Sequence, residues 1–341
     1  MIVLIVLLII IIFLLLLFVF AQFVLAQFGF TKRCEGNPYL KYFEAKDFEN
    51  LDAEPIEFEN EKGITLRGYI YSEHGASDYK GLIVFSHGMG AGHTSYTTEI
   101  NYFAKNGFLV LAYDNTGTCR SDGKKIDGFA RAVLDLASAI KYVKASKKLS
   151  SYPLLLAGHS WGAYSVCNVS AVIPDIKIDG ILAWAPFNSI NMIIDTMSRT
   201  KLPTGTKILN PMFTLINKIK YGKFGDLKCY NSISKNNIPT MIIQGSKDPV
   251  VTMNNSPVTM KEKYLSNKNV KAVICDGKQH NPYMTFGAES YMGEILGVID
   301  SGKPKEEIKK YCDKIDYNVL TEEDKEVMIT GLDFLESCSK K

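Results

Sequence analysis

The chain has 341 residues, 46% of them hydrophobic, enough for one substantial core or at most two domains. Its net charge of +3 is too small to argue for a nucleic-acid partner. Seven scattered cysteines, odd in number and without zinc-type Cys/His spacing, disfavour a secreted disulfide framework and a structural metal, and favour free thiols in a reducing compartment.

The first thirty residues, MIVLIVLLIIIIFLLLLFVFAQFVLAQFGF, carry no charged side chain. About 20 apolar residues cross a bilayer as a helix, so residues 1–30 are expected to form a single-pass transmembrane anchor. A cleaved signal peptide is the alternative, but it would show a basic start and a shorter apolar run. Lys32, Arg33, Lys41 and Lys46 follow the span, and only the α-amino group precedes it. The positive-inside rule therefore puts the rest of the chain on the cytoplasmic side. Residues 31–54 read as a linker and 55–341 as one folded domain.

That domain opens with a hairpin, PIEFEN and ITLRGYIY joined at EKG. GLIVFS is then a buried strand ending in the loop HGMGAGHTS, and YTTEINYFAKNG a helix stopped by glycine. FLVLAYD, YPLLLAGHS and IDGILAWAPF are buried strands, separated by helices over GFARAVLDLASAIKYVKAS and WGAYSVCNVSAVI. IPTMIIQGSKD and VKAVICDG are two more strands, with a helix near SPVTMKEKYLS between them. TEEDKEVMITGLDFLESC is a C-terminal helix with a capping pattern from Thr321 to Asp324. Alternating strands and helices predict a mostly parallel sheet covered on both faces, with its site at the carboxyl ends of the strands.

Residues 188–236 break the alternation. Arg199, Lys201, Lys207, Lys218, Lys220, Lys223, Lys228 and Lys235 face only Asp195 and Asp226 there, and the stretch reads as a small helical cap inserted over the site. NPMFTLINKIKYGKF has apolar residues at 212, 215, 216 and 219, helical spacing, with Asn210 and Pro211 suited to a helix start. Two readings stand for it: a lid that touches anionic lipid and admits acyl chains, or a helix packed on the domain with its lysines in water.

Within AGHSWGAY, residues 157–164, Ser160 sits between Gly158 and Gly162, after a strand and before a helix. A serine held on such a sharp turn presents its oxygen as a nucleophile, and glycines two residues either side relieve crowding. The other reading is a tight turn with an inert serine. A serine hydroxyl needs a base beside it, and the base needs an orienting group. Of five histidines, His280 in GKQHNPY follows the last strand and is the expected base. His159 should point away along its strand, His74 lies in a polar region, and His87 and His93 belong to the loop after GLIVFS. Asp248 in QGSKDPVV is the expected orienting acid; Asp276 is the rival, and a plain Asp-Pro turn the alternative. An oxyanion needs two donors, for which the backbone N–H groups of Trp161 and Met89 are expected.

The order Ser160, Asp248, His280, with FSHGMGAGHTSY, YDNTGTCRSDG, GHSWG and GSKDPVV, resembles the α/β-hydrolase superfamily, most closely its monoglyceride-lipase and serine-aminopeptidase-like (S33-type) branch. The resemblance spans about residues 55–300. It implies an α/β-hydrolase fold and a serine hydrolase acting on small-molecule or lipid esters through an acyl-enzyme, with no metal or organic cofactor and no nucleic acid. It leaves a serine peptidase, an acyltransferase and a non-catalytic binding protein as alternatives. Asp114 matches a position that shapes the loop near the site, and Cys119 stands where glycine is common.

Overall fold

The structure, a computed structural model, describes residues 2–28, 32–199, 206–263 and 267–340. Eight strands form one sheet: β1 Leu51–Glu59, β2 Thr65–Glu73, β3 Leu82–Ser86, β4 Leu109–Tyr113, β5 Leu154–His159, β6 Gly180–Trp184, β7 Thr240–Gly245 and β8 Val270–Cys275. Their order is β1-β2-β4-β3-β5-β6-β7-β8. β1, β2 and β4 pair antiparallel, and every pair from β4 to β8 is parallel. The hairpin turn uses Gly63 at φ +69, with its N–H donating to Asn60 O at 2.9 Å. β1 begins at Leu51, four residues inside the stretch read as a linker.

The central strands β3 to β7 are buried at every position and largely apolar because both faces are covered. In β3, Leu82 and Val84 enter one core, while Ile83 and Phe85 enter the other. Helices α1 Ile2–Phe28, α2 Thr97–Lys105, α3 Phe129–Ala145 and α4 Trp161–Asn168 come first in the chain. α5 Ile190–Arg199, α6 Thr206–Tyr221 and α7 Cys229–Lys235 lie between β6 and β7. α8 Phe286–Ile299, α9 Lys305–Cys312, α10 Tyr317–Leu320 and α11 Lys325–Ser339 follow β8. α3 and α4 cover the face of Leu82 and Val84, and α2 and α11 the other. Ile295, Ile308, Cys312, Ile315 and Leu320 form a smaller core among α8, α9 and α10.

Several expectations are corrected. Among the described residues no helix is long and apolar enough to cross a membrane, so the transmembrane helix expected over residues 1–30 is not found there. α1 itself is helical over 27 residues, Ile2–Phe28. Where SPVTMKEKYLS suggests a helix, two single 3₁₀ turns stand, Pro257–Thr259 and Lys261–Lys263; residues 264–266 lie outside the described residues. Ser256 Oγ accepts from Val258 N at 3.3 Å, closing a side-chain turn before a helix can propagate. α6 starts at Thr206, a turn before Asn210 and Pro211; the proline costs that helix one N–H bond. The cap of α11 is Asp324 and not Thr321: its carboxylate accepts from Glu326 N and Val327 N at 3.1 and 3.2 Å, whereas Thr321 ends α10.

Candidate active site

The turn between β5 and α4 is tight because three backbones meet there. Ser160 has φ +54 and ψ −111, a conformation that costs a non-glycine residue roughly 1–3 kcal/mol. Its N–H donates to Trp184 O at 2.8 Å, and its carbonyl accepts from Tyr164 N at 2.9 Å, so the sheet and the helix hold the strain. A Cβ on Gly162 would stand 1.8 Å from Ser86 O, and one on Gly158 would stand 2.7 Å from Gly162 C. Both glycines are needed for the close approach of β3 to the turn.

Three loops at the carboxyl edge bring Ser160, His280 and Asp248 together. His280 Nε2 is 3.0 Å from Ser160 Oγ, and His280 Nδ1 is 2.8 Å from Asp248 Oδ2. A carboxylate only accepts, so Nδ1 carries the proton and Nε2 faces the serine hydroxyl as an acceptor. Asp248 is buried and uses both oxygens. Oδ1 accepts from Val250 N and Val251 N at 2.8 Å each, and Oδ2 also accepts from Gln244 Nε2 at 2.8 Å. It is thus an Asp-Pro turn residue and the partner of His280 at once. The rival Asp276 is turned away, accepting from Ser246 Oγ at 3.0 Å.

The other histidines have settled partners. Buried His87 donates from Nδ1 to Gly88 O at 2.7 Å, and its Nε2 accepts from Asn115 N at 3.0 Å. Burial pushes its pKa down, which keeps it neutral. His93 and Asp114 meet at 2.7 Å, and Asp114 also accepts from His93 N at 2.8 Å and Arg120 N at 2.9 Å. Burial would raise the Asp114 pKa, but the charge and hydrogen bond of His93 hold it below the usual carboxylate range. Asp114 therefore ties the loop after β3 to the loop after β4, where Cys119 takes φ +36. His74 is exposed and lies 3.0 Å from Asp52.

Two supports of His280 are absent from the sequence reading. His159 does not point away: its Nε2 donates to His280 O at 2.9 Å, with ring centroids 4.7 Å apart. Its Nδ1 accepts from Tyr96 OH at 2.8 Å, and that hydroxyl accepts from Gly88 N at 3.1 Å. Burial, then the charge of His280, push the His159 pKa far down, so it is a neutral strut between the two loops. Glu289, in the first turn of α8, straddles the histidine loop. Its carboxylate accepts from Gln279 N at 2.9 Å and from Asn281 N at 2.8 Å. No sequence signal marks it, because its partners are backbone groups.

Trp161 is the first residue of α4, where a backbone N–H has no intrahelical partner. Its indole donates to Phe129 O at 2.8 Å. Met89 lies in the loop after β3, partly buried against the core. Among the described residues no group of three His, Cys, Asp or Glu could hold a metal ion.

Residues 77–220 match the family model of the serine aminopeptidases, S33. The fold is similar to that of an esterase from Pyrococcus furiosus, with TM-score 0.57 and 18% identity over 77% of this chain and 96% of that one. It is similar to brefeldin A esterase, described as a bacterial homologue of human hormone sensitive lipase, with TM-score 0.57 and 14% identity over 88% and 81%. Est1E from Butyrivibrio proteoclasticus gives TM-score 0.53 and 15% identity over 84% and 99%. No curated protein sequence matches the chain.

Proposed function

We propose that this chain, an α/β-hydrolase-fold protein of the S33-like branch, is a membrane-anchored serine hydrolase that cleaves carboxylic esters. The single observation behind the chemistry is the relay Asp248 Oδ2, His280, Ser160 Oγ, with 2.8 and 3.0 Å between its members. Ser160 Oγ attacks the ester carbonyl while His280 Nε2 takes its proton, and Asp248 stabilises the imidazolium. The N–H groups of Trp161 and Met89 receive the oxyanion. His280 then gives its proton to the leaving alcohol, and water, activated by the same nitrogen, releases the acid and restores the serine. A fluorophosphonate probe tests this: the native protein labels, Ser160→Ala does not, and an unlabelled native protein refutes the reading. Because the matching family is that of serine aminopeptidases, an aminoacyl amide belongs in the same substrate panel; faster turnover of the amide than of esters would make the chain a peptidase.

The anchor reading rests on the sequence of residues 1–30, which carries no charged side chain over more than the ~20 residues a spanning helix needs. Lys32 and Arg33 after it favour a cytoplasmic domain. The segment between β6 and β7 is the cap in this reading. Alkaline carbonate should leave the full chain in the membrane pellet and release a chain lacking residues 2–30; release of both would refute the anchor.

A further inference from the structure

The chain leaves α1 at a particular edge of the domain. Arg33 grips the loop that follows β4: Nη1 donates to Ser121 O at 2.9 Å and Gly123 O at 2.6 Å, and Nη2 donates to Cys119 O at 2.6 Å. Backbone bonds continue the grip. Cys34 N donates to Gly117 O at 3.0 Å, Cys119 N to Cys34 O at 2.9 Å, and Ile126 N to Lys32 O at 3.2 Å. That loop stands at the carboxyl edge of the sheet, with Ser160, Asp248 and His280. Phe28 and Lys32 are four Cα steps apart, so the end of α1 lies within about 15 Å of the loop whatever the direction of the helix.

α6 belongs to the same surface. Lys220 Nζ donates to Asp127 O at 2.9 Å, Tyr221 OH bonds that same carbonyl, and α1 packs against α6. α6 leaves Leu215 51% and Ile219 76% exposed, with Lys218 and Lys223 beside them. Lys32 and Lys124 are exposed at the grip itself. The acids here are engaged: Glu35 by Arg33, Asp122 by Arg67, Asp127 by Lys62 and Lys220, and Asp226 by Lys218. Exposed apolar side chains on α6, with exposed lysines on the same helix and at the grip, suit an anionic bilayer surface.

We propose that Arg33 holds the carboxyl edge of the sheet, with α6, against the bilayer, so that the site takes its ester from the lipid leaflet and not from water. This rests on the anchor reading but not on the serine chemistry. The test places tryptophan at Ile219 and, separately, at Lys235, which ends α7 at the opposite edge, in the full chain inserted into phosphatidylcholine–phosphatidylserine vesicles. Dibrominated acyl chains should remove most of the fluorescence of Ile219→Trp and spare Lys235→Trp; the native tryptophans, Trp161 and Trp184, are buried and serve as background. Adding Arg33→Ala should abolish that difference, and should lower turnover of a vesicle-borne monoacylglycerol while sparing a short water-soluble ester. Equal quenching at both sites, or a difference that survives Arg33→Ala, overturns the proposal. A chain that never enters the vesicles overturns it together with the anchor. Asymmetric quenching in a protein without esterase activity would leave the orientation standing and refute the hydrolase reading alone.

Discussion

Glu289 is the support of His280 whose loss can be calculated most directly. Its two oxygens take one backbone N–H each, on either side of the histidine, at 2.9 and 2.8 Å. In Glu289→Gln the shape is kept, but one oxygen becomes an amide that donates. One N–H then faces a donor inside a buried site, where a hydrogen bond to a charged group contributes roughly 1.5–3 kcal/mol. Unfolding entropy of about 2.1 cal/mol/K per residue over ~300 residues gives about 1.6 °C per kcal/mol, so Tm should fall by about 2–5 °C. The larger effect should be kinetic. Freed on one side, the loop lets Nε2 drift from Ser160 Oγ, and a misplacement of about 1 Å costs on the order of 100-fold. The fluorophosphonate labelling rate, measured well below the melting range, should therefore fall far more than the stability change implies. Native labelling and native Tm in Glu289→Gln would refute the bracket as the element that positions the base.

His159→Phe removes the N–H that holds His280 O and leaves Tyr96 OH without its acceptor; labelling should slow about tenfold, matching ~1.4 kcal/mol, while an unchanged rate would make the strut mechanically irrelevant. Gly162→Ala would drive a Cβ to 1.8 Å from Ser86 O, and should cost at least the ~3 kcal/mol upper range of overpacking. Gly293→Ala, whose Cβ meets nothing within 4 Å inside α8, should instead gain about 0.5–1 kcal/mol; paired thermal melts check both. Glu99 and Glu323 are pushed up to about 7 and about 9 by burial, Glu323 further by the charge of Glu99. Carboxyls raised by folding favour the native state below their unfolded pKa near 4, and that contribution is lost as pH rises through about 7 and then about 9. Tm should decline over that window, and Glu323→Gln should flatten the decline; an equally steep fall in the variant would clear this pair of responsibility.

The parts of the fold legible in the sequence are those whose physics is local. β3, β5, β6 and β7 are short apolar runs because the sheet is covered on both sides. Ser160, Asp248 and His280 each sit just past such a run, where a site forms in a sheet of this kind. The region from Phe286 to Leu320 escapes this reading: Gly287, Gly293 and Gly297 dilute the periodicity of α8, and α9 and α10 are short. The supports of the histidine escape it for another reason. Tyr96, His159 and Glu289 act on backbone atoms, 8 to 121 residues away in the chain, and backbone atoms have no letter in the sequence.

Asp248 divides its work between its oxygens: one ties its own turn, the other steadies the imidazole. In the proposed hydrolase, catalytic competence and local order therefore share a single carboxylate. On that proposal, a chain in which the β7 turn has not yet closed has no oriented base, and partly folded forms should be silent rather than weakly active. Enzyme activity then reports the fraction of molecules in which the last loop has closed, and its recovery during refolding should trace that closure and not the earlier collapse of the sheet.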